Sequence, residues 1–243
     1  MRERVIVALD YRSRQGAEEL IAALSGLISY YKVGLELYTA EGPGIIRVLK
    51  EKGLQIFLDL KIFDIPSTMS RTARVITSLG VDMFNLHLLA GKEALLAVRE
   101  AVEDEAGRKR LSLPKILGVT ILTSSADTEW QEIGFAGDVS KMVLSLGQRA
   151  KETGLSGVVA SAQDARSLKD AFGKDFLVVS PGIRLHGENT AQPDDQKRTL
   201  SAKEAFAAGC DYIVVGRPIT RALDPRKTCQ ELLQTLDYGN NQS

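Results

Sequence analysis

The chain has 243 residues, with 31 Lys and Arg against 31 Asp and Glu, so the formal net charge is zero and no general basic surface draws it to nucleic acid or an anionic membrane. Its two cysteines, Cys210 and Cys229, are too few and too far apart for a disulfide framework or a paired metal knuckle, and strand-like residues begin by Arg4 with no signal peptide before them, so a cytoplasmic, reducing location is expected. No apolar run approaches the roughly 18 residues of a membrane span, and the length suits one barrel-sized domain with a large core.

Apolar, β-branched-rich runs predict strands at residues 5–9, 31–35, 55–60, 83–88, 115–122, 157–160, 176–180 and 212–215. Amphipathic stretches between them predict helices at 17–25, 45–52, 68–79, 92–106, 140–153, 162–172, 202–208 and 227–236. Strand-then-helix alternation implies parallel pairing, and eight such units in this length imply an α/β fold closed into a (β/α)8 TIM barrel, which leaves no sheet edge. A doubly wound open sheet is the alternative, but it usually has fewer strands, and no Gly-x-Gly-x-x-Gly follows the first strand. A single domain over 1–243 accounts for the chain, with polar sequence at 187–195 and a polar tail after about residue 238.

The third strand ends in Asp59-Leu60-Lys61-Ile62-Phe63-Asp64-Ile65-Pro66. Alternation along a strand points Asp59 and Lys61 to one face and Leu60 to the other, which makes the two charges a pre-aligned ion pair. Asp64 lies beyond the strand, where alternation no longer fixes its direction. Read alone, the pattern is a salt bridge closing a strand end. Barrel chemistry, however, gathers at the C-terminal strand ends. The polar residues there are Asp10, Lys32, Asp59, Lys61, His87, Thr120, Thr123, Ser161, Ser180, Arg184 and Arg217. Pro181-Gly182-Ile183-Arg184 and Gly216-Arg217-Pro218-Ile219 occupy the loops after the seventh and eighth strands, where backbone N–H groups and an arginine fork suit phosphate oxygens. A phosphorylated small molecule is the implied ligand.

Six segments in order resemble the orotidine 5'-phosphate decarboxylase family, a cofactor-free lyase family that makes uridine monophosphate, and the resemblance spans almost the whole chain. They are Val7-Ala8-Leu9-Asp10, Lys32-Val33-Gly34, Asp59-Leu60-Lys61 with Asp64-Ile65-Pro66 and Thr68, Val119-Thr120 with Leu122-Thr123-Ser124, Pro181-Gly182-Ile183-Arg184, and Val214-Val215-Gly216-Arg217-Pro218-Ile219. Asp195-Gln196-Lys197-Arg198 resembles the bacterial segment that carries a phosphate-side glutamine. Phe63 stands where bacterial members often have His, Ser67 where they often have Asn, and the stretch from Arg184 to Gln196 is a few residues longer than in many relatives.

The resemblance implies an alternating charge tetrad of Lys32, Asp59, Lys61 and Asp64, with Asp64 supplied by the second subunit of a homodimer. Asp59 would lie against the substrate carboxylate, and repulsion there would be relieved as CO2 leaves. Lys61 would stabilise the carbanion at the pyrimidine C6 and protonate it, with no metal and no organic cofactor. The resemblance further implies ribose contacts from Asp10, Lys32 and the partner's Thr68, a base contact from Thr123, and phosphate contacts from Arg184, Gln196, Gly216 and Arg217. His87 reads as structural, His186 as no metal ligand, and Trp130 as packing. Two alternatives remain. A magnesium-dependent sugar-phosphate decarboxylase or aldolase of the same superfamily would need an acidic metal ligand where this chain has Lys32. A catalytically silent phosphate-binding barrel would be expected to have lost a tetrad member.

Overall fold

The computed structural model describes residues 1–122, 130, 132, 134, 138–184 and 200–237. After a 3-10 turn at Arg2–Arg4, the chain runs β1 (Val5–Ala8), α1 (Arg14–Ala23), β2 (Tyr30–Gly34), α2 (Leu35–Glu41), α3 (Gly44–Glu51), β3 (Gln55–Ile62) and α4 (Pro66–Ser78). It continues through β4 (Met83–His87), α5 (Lys92–Lys109), β5 (Lys115–Val119), α6 (Val139–Glu152), β6 (Gly157–Val159), α7 (Ala165–Phe172) and β7 (Leu177–Ser180). Then come β8 (Ile183–Arg184), β9 (Leu200–Ser201), α8 (Ala202–Ala208), β10 (Tyr212–Val215), α9 (Arg217–Thr220) and α10 (Pro225–Asp237).

Eight strands close in the order β1-β10-β7-β6-β5-β4-β3-β2, all parallel, while β8 and β9 form a separate two-stranded pair. Because β1 pairs with both β2 and β10, the open-sheet alternative is excluded. The closed barrel separates each strand's residues by period two. Ile6, Ala8, Tyr30, Phe57, Met83, Leu117, Val119, Val159, Val179 and Val214 pack together inside the barrel. Val5, Val7, Tyr31, Val33, Ile56, Leu58, Phe84, Leu86, Val158, Val178, Ile213 and Val215 belong to the shell between strands and helices. An apolar plug therefore fills the barrel below its C-terminal mouth. Each large side chain removed from water there contributes roughly 1.5–3 kcal/mol, and it leaves charges at the mouth little water to face from below.

The opposite end is fixed by two buttresses of the same kind. Asp82 accepts from the Ile56 N–H at 2.7 Å and from Lys50 at 2.8 Å, and Asp211 accepts from the Val178 N–H at 2.7 Å and from Lys169 at 2.7 Å. Each carboxylate ties the start of one strand to its neighbour and to the helix outside. Gly157 opens β6 because a Cβ there would run into the backbone of Leu177.

Local differences from the sequence reading have local causes. Helix α1 begins at Arg14, ahead of the expected 17, because the Ser13 side chain accepts from the Gly16 N–H and caps it. Leu35 opens α2 and is not the last strand residue, and neither α2 nor the short α9 was anticipated. The expected 115–122 strand stops at Val119, beyond which the Thr120 N–H and hydroxyl both donate to the Val159 carbonyl, at 3.3 and 3.1 Å. The 162–172 helix divides into a 3-10 turn, Ala162–Asp164, and α7. Strand β3 continues to Ile62, two residues past the expected end, for a reason that belongs to the site.

Candidate active site

β2 and β3 deliver the charged core of the site. Their register sets Gly34 beside Asp59, and Lys32 lies one step below on the same inward face. The Lys32 ammonium sits 3.1 Å from Asp10 Oδ1 and 3.3 Å from Asp59 Oδ2, and Lys61 Nζ sits 2.7 Å from Asp59 Oδ1. The result is a linear chain of alternating sign, Asp10, Lys32, Asp59, Lys61, across the ends of three adjacent strands. Side-chain exposure rises from 12% at Lys32 and Asp59 to 31% at Lys61 and 49% at Asp10, so the central pair is buried and the outer two charges face the mouth.

Burial by itself would raise the Asp59 carboxyl, but Lys32, Lys61 and the Asn85 amide outweigh it and hold the group below its ordinary value. Burial likewise pulls the Lys32 ammonium down, and Asp59 and Asp10 more than reverse it, so Lys32 stays above the usual lysine value. Both are charged at neutral pH. A buried carboxylate beside an ammonium able to give a proton suits a reaction in which a neutral group leaves an anion and the carbanion left behind is protonated.

The approach of Lys32 depends on Gly34. A Cβ at that position would lie 2.9 Å from Lys32 Nζ and 3.5 Å from Asp10 Oδ1. The Gly34 φ of −94° is open to any residue, so it is space and not backbone conformation that favours glycine.

Between Leu58 and Ile62 the β3–β4 register slips: β3 advances from Leu58 to Ile62 while β4 advances only from Phe84 to Leu86. The extra residues form a bulge, and Lys61 within it has a left-handed φ of 51°. Asn85 of β4 bridges the bulge. Its Oδ1 accepts from the Lys61 backbone N–H at 2.8 Å and its Nδ2 donates to Asp59 Oδ1 at 2.7 Å. The sequence reading passed over Asn85, although it is the one polar residue within the apolar Met83–Leu86 run and shares the inward face with Met83 and His87.

Asp64 stands apart from this charge chain. It is exposed, its Oδ1 accepts from the Ile65 N–H at 2.6 Å, and among the described residues no ion pair joins it to Lys32 or Lys61. Phe63 and Ile65 on either side of it are 60% and 64% exposed. Thr68 is half-buried in the first turn of α4, which Pro66 opens at its first position. Within one chain the expected tetrad is thus three residues plus Asp10, which takes the outer anionic place next to Lys32.

Gly216 and Arg217 follow β10, next to β1 in the barrel, and a Cβ on Gly216 would meet Asp10 Oδ2 at 3.5 Å. The glycine-arginine turn therefore adjoins the Asp10 end of the charge chain. Arg184 lies half-buried on β8, which pairs in parallel with β9, Arg184 opposite Ser201. Thr123, His186 and Gln196 lie outside the described residues, as does the tail after residue 237. Ser161 caps the 3-10 turn at Ala162, and the Ser180 hydroxyl donates to the Pro181 carbonyl at 3.3 Å. Trp130 packs against the outer core, in line with its expected role.

His87 points inward beyond Asn85. Its Nδ1 is buried with no hydrogen-bond partner among the described residues, its ring centroid is 5.6 Å from that of Phe63, and burial together with nearby Lys61 lowers its pKa. It is a neutral wall of the site. Among the described residues no cluster of three or more His, Cys, Asp or Glu would hold a metal ion, and the Lys32 ammonium fills the space between the Asp10 and Asp59 carboxylates that a divalent cation would need.

The Orotidine 5'-phosphate decarboxylase / HUMPS family profile matches residues 3–232. The chain is 43% identical over 240 residues to the orotidine 5'-phosphate decarboxylase of Syntrophus aciditrophicus, covering 98% of this chain and 94% of the relative. It is 44% identical over 237 residues to that of Carboxydothermus hydrogenoformans, covering 98% and 97%. A crystal structure of orotidine 5'-phosphate decarboxylase from Lactobacillus acidophilus superposes with a TM-score of 0.81 at 34% identity, covering 96% of this chain and 98% of that one.

Proposed function

The chain belongs to the orotidine 5'-phosphate decarboxylase / HUMPS family, and on that footing we propose that it converts orotidine 5'-phosphate to uridine 5'-monophosphate and CO2 with no metal or organic cofactor, using Lys61 as proton donor. Family membership makes it a carbon–carbon lyase, a decarboxylase of pyrimidine and UMP biosynthesis. The observation that best supports the finer reading is the charge chain itself, whose cation at Lys32 replaces a metal ligand. A magnesium-dependent sugar-phosphate enzyme would need an acid there.

In this reading the substrate carboxylate lies against Asp59, and the approach of two anions in a site floored by apolar side chains raises the ground state. CO2 departs as a neutral molecule, so the negative charge moves away from Asp59 and onto the electron pair left at C6. The electron pair left at C6 faces the Lys61 ammonium, already 2.7 Å from Asp59 Oδ1, which stabilises it and then delivers a proton. Enzymes of this kind must supply ~8–23 kcal/mol of differential stabilisation, so one lysine is not the whole source. Contacts to the remote phosphate by Arg217, Gly216, Arg184 and Gln196 would supply binding energy to close the site. Asp10 and Lys32 would hold the ribose, and Thr123 the base.

We propose further that the active form is a two-fold dimer in which Asp64 and Thr68 reach the partner's site. The exposed apolar pair Phe63 and Ile65 flanking Asp64 supports this, since a second subunit would remove them from water. One cytoplasmic domain is sufficient for the reading, and no helix among the described residues is long and apolar enough to cross a membrane. The test is to offer chelator-treated protein orotidine 5'-phosphate and, separately, a 3-keto-hexulonate phosphate with and without magnesium. Turnover of the nucleotide alone, unaffected by chelator, is expected; magnesium-dependent turnover of the sugar phosphate alone would reverse the assignment.

A further inference from the structure

Resting on that reading of the site, we infer that Asn85 is a positioning residue for the decarboxylation, clamping Asp59 and the Lys61 backbone together so that both catalytic charges face the mouth. Three observations carry this. First, the bulge in β3 withdraws the Lys61 N–H from the ordinary ladder, and Asn85 Oδ1 takes the place of the missing carbonyl at 2.8 Å. Second, the other end of the same amide donates to Asp59 Oδ1 at 2.7 Å, the oxygen that also receives Lys61 Nζ. An N–H on one side and a carboxylate on the other allow only one orientation of the amide, so the side chain has no equivalent flipped state. Third, Asn85 is 1% exposed, so both bonds are shielded from bulk solvent.

Lys61 holds a left-handed φ of 51°, which an L residue keeps only where its surroundings over-determine it. Asn85 is the group that does so from β4. Without it, β3 is free to shed the bulge, and a shift of even one residue turns Lys61 away from Asp59. The amide also favours the ionised form of Asp59, the form the chemistry needs next to a substrate carboxylate.

Charged and titratable neighbours of Asp59 come from every strand around it: Lys32 from β2, Lys61 from β3, Asp10 of the β1 end behind Lys32, and His87 from β4 beside Lys61. All are retained in variants of Asn85, so differences belong to the amide. Two variants separate its two bonds. Asn85→Ala removes both; Asn85→Asp is nearly isosteric, keeps an acceptor for the Lys61 N–H and sets a second carboxylate against Asp59.

The experiment combines steady-state kinetics on orotidine 5'-phosphate, thermal unfolding, and pH titration of the Asp59 carboxyl carbon by 13C NMR in substrate-free protein, assigned with Asp59→Asn. We expect kcat to fall about 100-fold or more in Asn85→Ala, the scale of a 1 Å misplacement, with KM within about threefold because the phosphate site is remote. The Asp59 titration midpoint moves up in both variants, further in Asn85→Asp, where like charges oppose each other. A kcat within about threefold of wild type in Asn85→Ala, or an unchanged Asp59 midpoint with kcat, KM and stability declining together, would overturn the inference and leave Asn85 as packing. Should wild type fail to turn over the nucleotide while the Asp59 midpoint still moves, the substrate assignment falls and the clamp stands.

Discussion

Replacing Gly34 with alanine adds one methyl group at the most crowded point of the charge chain. The new Cβ would stand 2.9 Å from Lys32 Nζ, against an ordinary contact of about 3.5–4 Å. Backbone conformation does not oppose it, since φ is −94°. The ammonium is the far end of a flexible side chain, so it retreats by up to about 1 Å and the fold survives. With an effective dielectric of ~20, lengthening a 3.1–3.3 Å ion pair by ~1 Å weakens it by about 1.2 kcal/mol. Lys32 has two such pairs, so at most about 2.5 kcal/mol of stability is at risk, or under about 10 °C in Tm for a chain of this size. A displacement of ~1 Å in catalytic geometry costs on the order of 100-fold in rate, equivalent to about 2.7 kcal/mol. Gly34→Ala should therefore stay folded at 25 °C with kcat reduced about 100-fold and KM much less changed, measured by the absorbance loss of orotidine 5'-phosphate beside a thermal melt. A variant that melts normally and keeps kcat within about threefold of wild type would show that the exact seat of Lys32 does not matter, and the charge-chain account would lose its geometric basis.

Mixing inactive Lys61→Ala with inactive Asp64→Ala under conditions of demonstrated subunit exchange should restore activity through hybrid dimers with one intact site; no recovery would refute the shared site. Arg217→Ala should cost a few kcal/mol in kcat/KM for orotidine 5'-phosphate and change little for orotidine, which lacks the phosphate; equal losses on both would remove Arg217 from the phosphate site. Asp59, held below its ordinary value of 3.8, contributes stability that is complete above that pH and is lost as pH falls through its folded value, whereas Lys32, held above 10.5, contributes stability complete below that pH and lost as pH rises through its folded value. The stability gap between wild type and Asp59→Asn in urea should then be flat through neutral pH and close below 3.8; a gap already closing between about pH 7 and pH 5 would contradict the depressed carboxyl.

Alternation of strands and helices made the barrel legible, because a buried parallel strand must be apolar on both faces and a crossover helix must be amphipathic. The Asp59–Lys61 pair was likewise readable from period two, although the bulge and the left-handed Lys61 were not: nothing in the letters of β3 announces a register slip that only β4 makes visible. Asn85 escaped notice for the same reason, since its value lies in a bond to another strand's backbone. Asp10 was read as a sugar contact, and its 3.1 Å ion pair with Lys32 emerged only when β1 and β2 were placed side by side. Helix α2 was hidden because Leu35 continues the apolar run of β2, and the crowding of Gly34 by Lys32 is visible only in space.

In the proposed reaction Lys61 alone, without metal, protonates the carbon from which CO2 departs. A single turnover of orotidine 5'-phosphate in chelator-treated D2O, followed by proton NMR of the nucleotide, tests it most directly. Wild type should yield UMP carrying deuterium at C6 with one CO2 per site, and Lys61→Ala, folded to the same melting behaviour, should be slower by several orders of magnitude. Turnover that appears only when magnesium is restored, or a Lys61→Ala rate above about a tenth of wild type, a loss of less than ~1.4 kcal/mol, would contradict it.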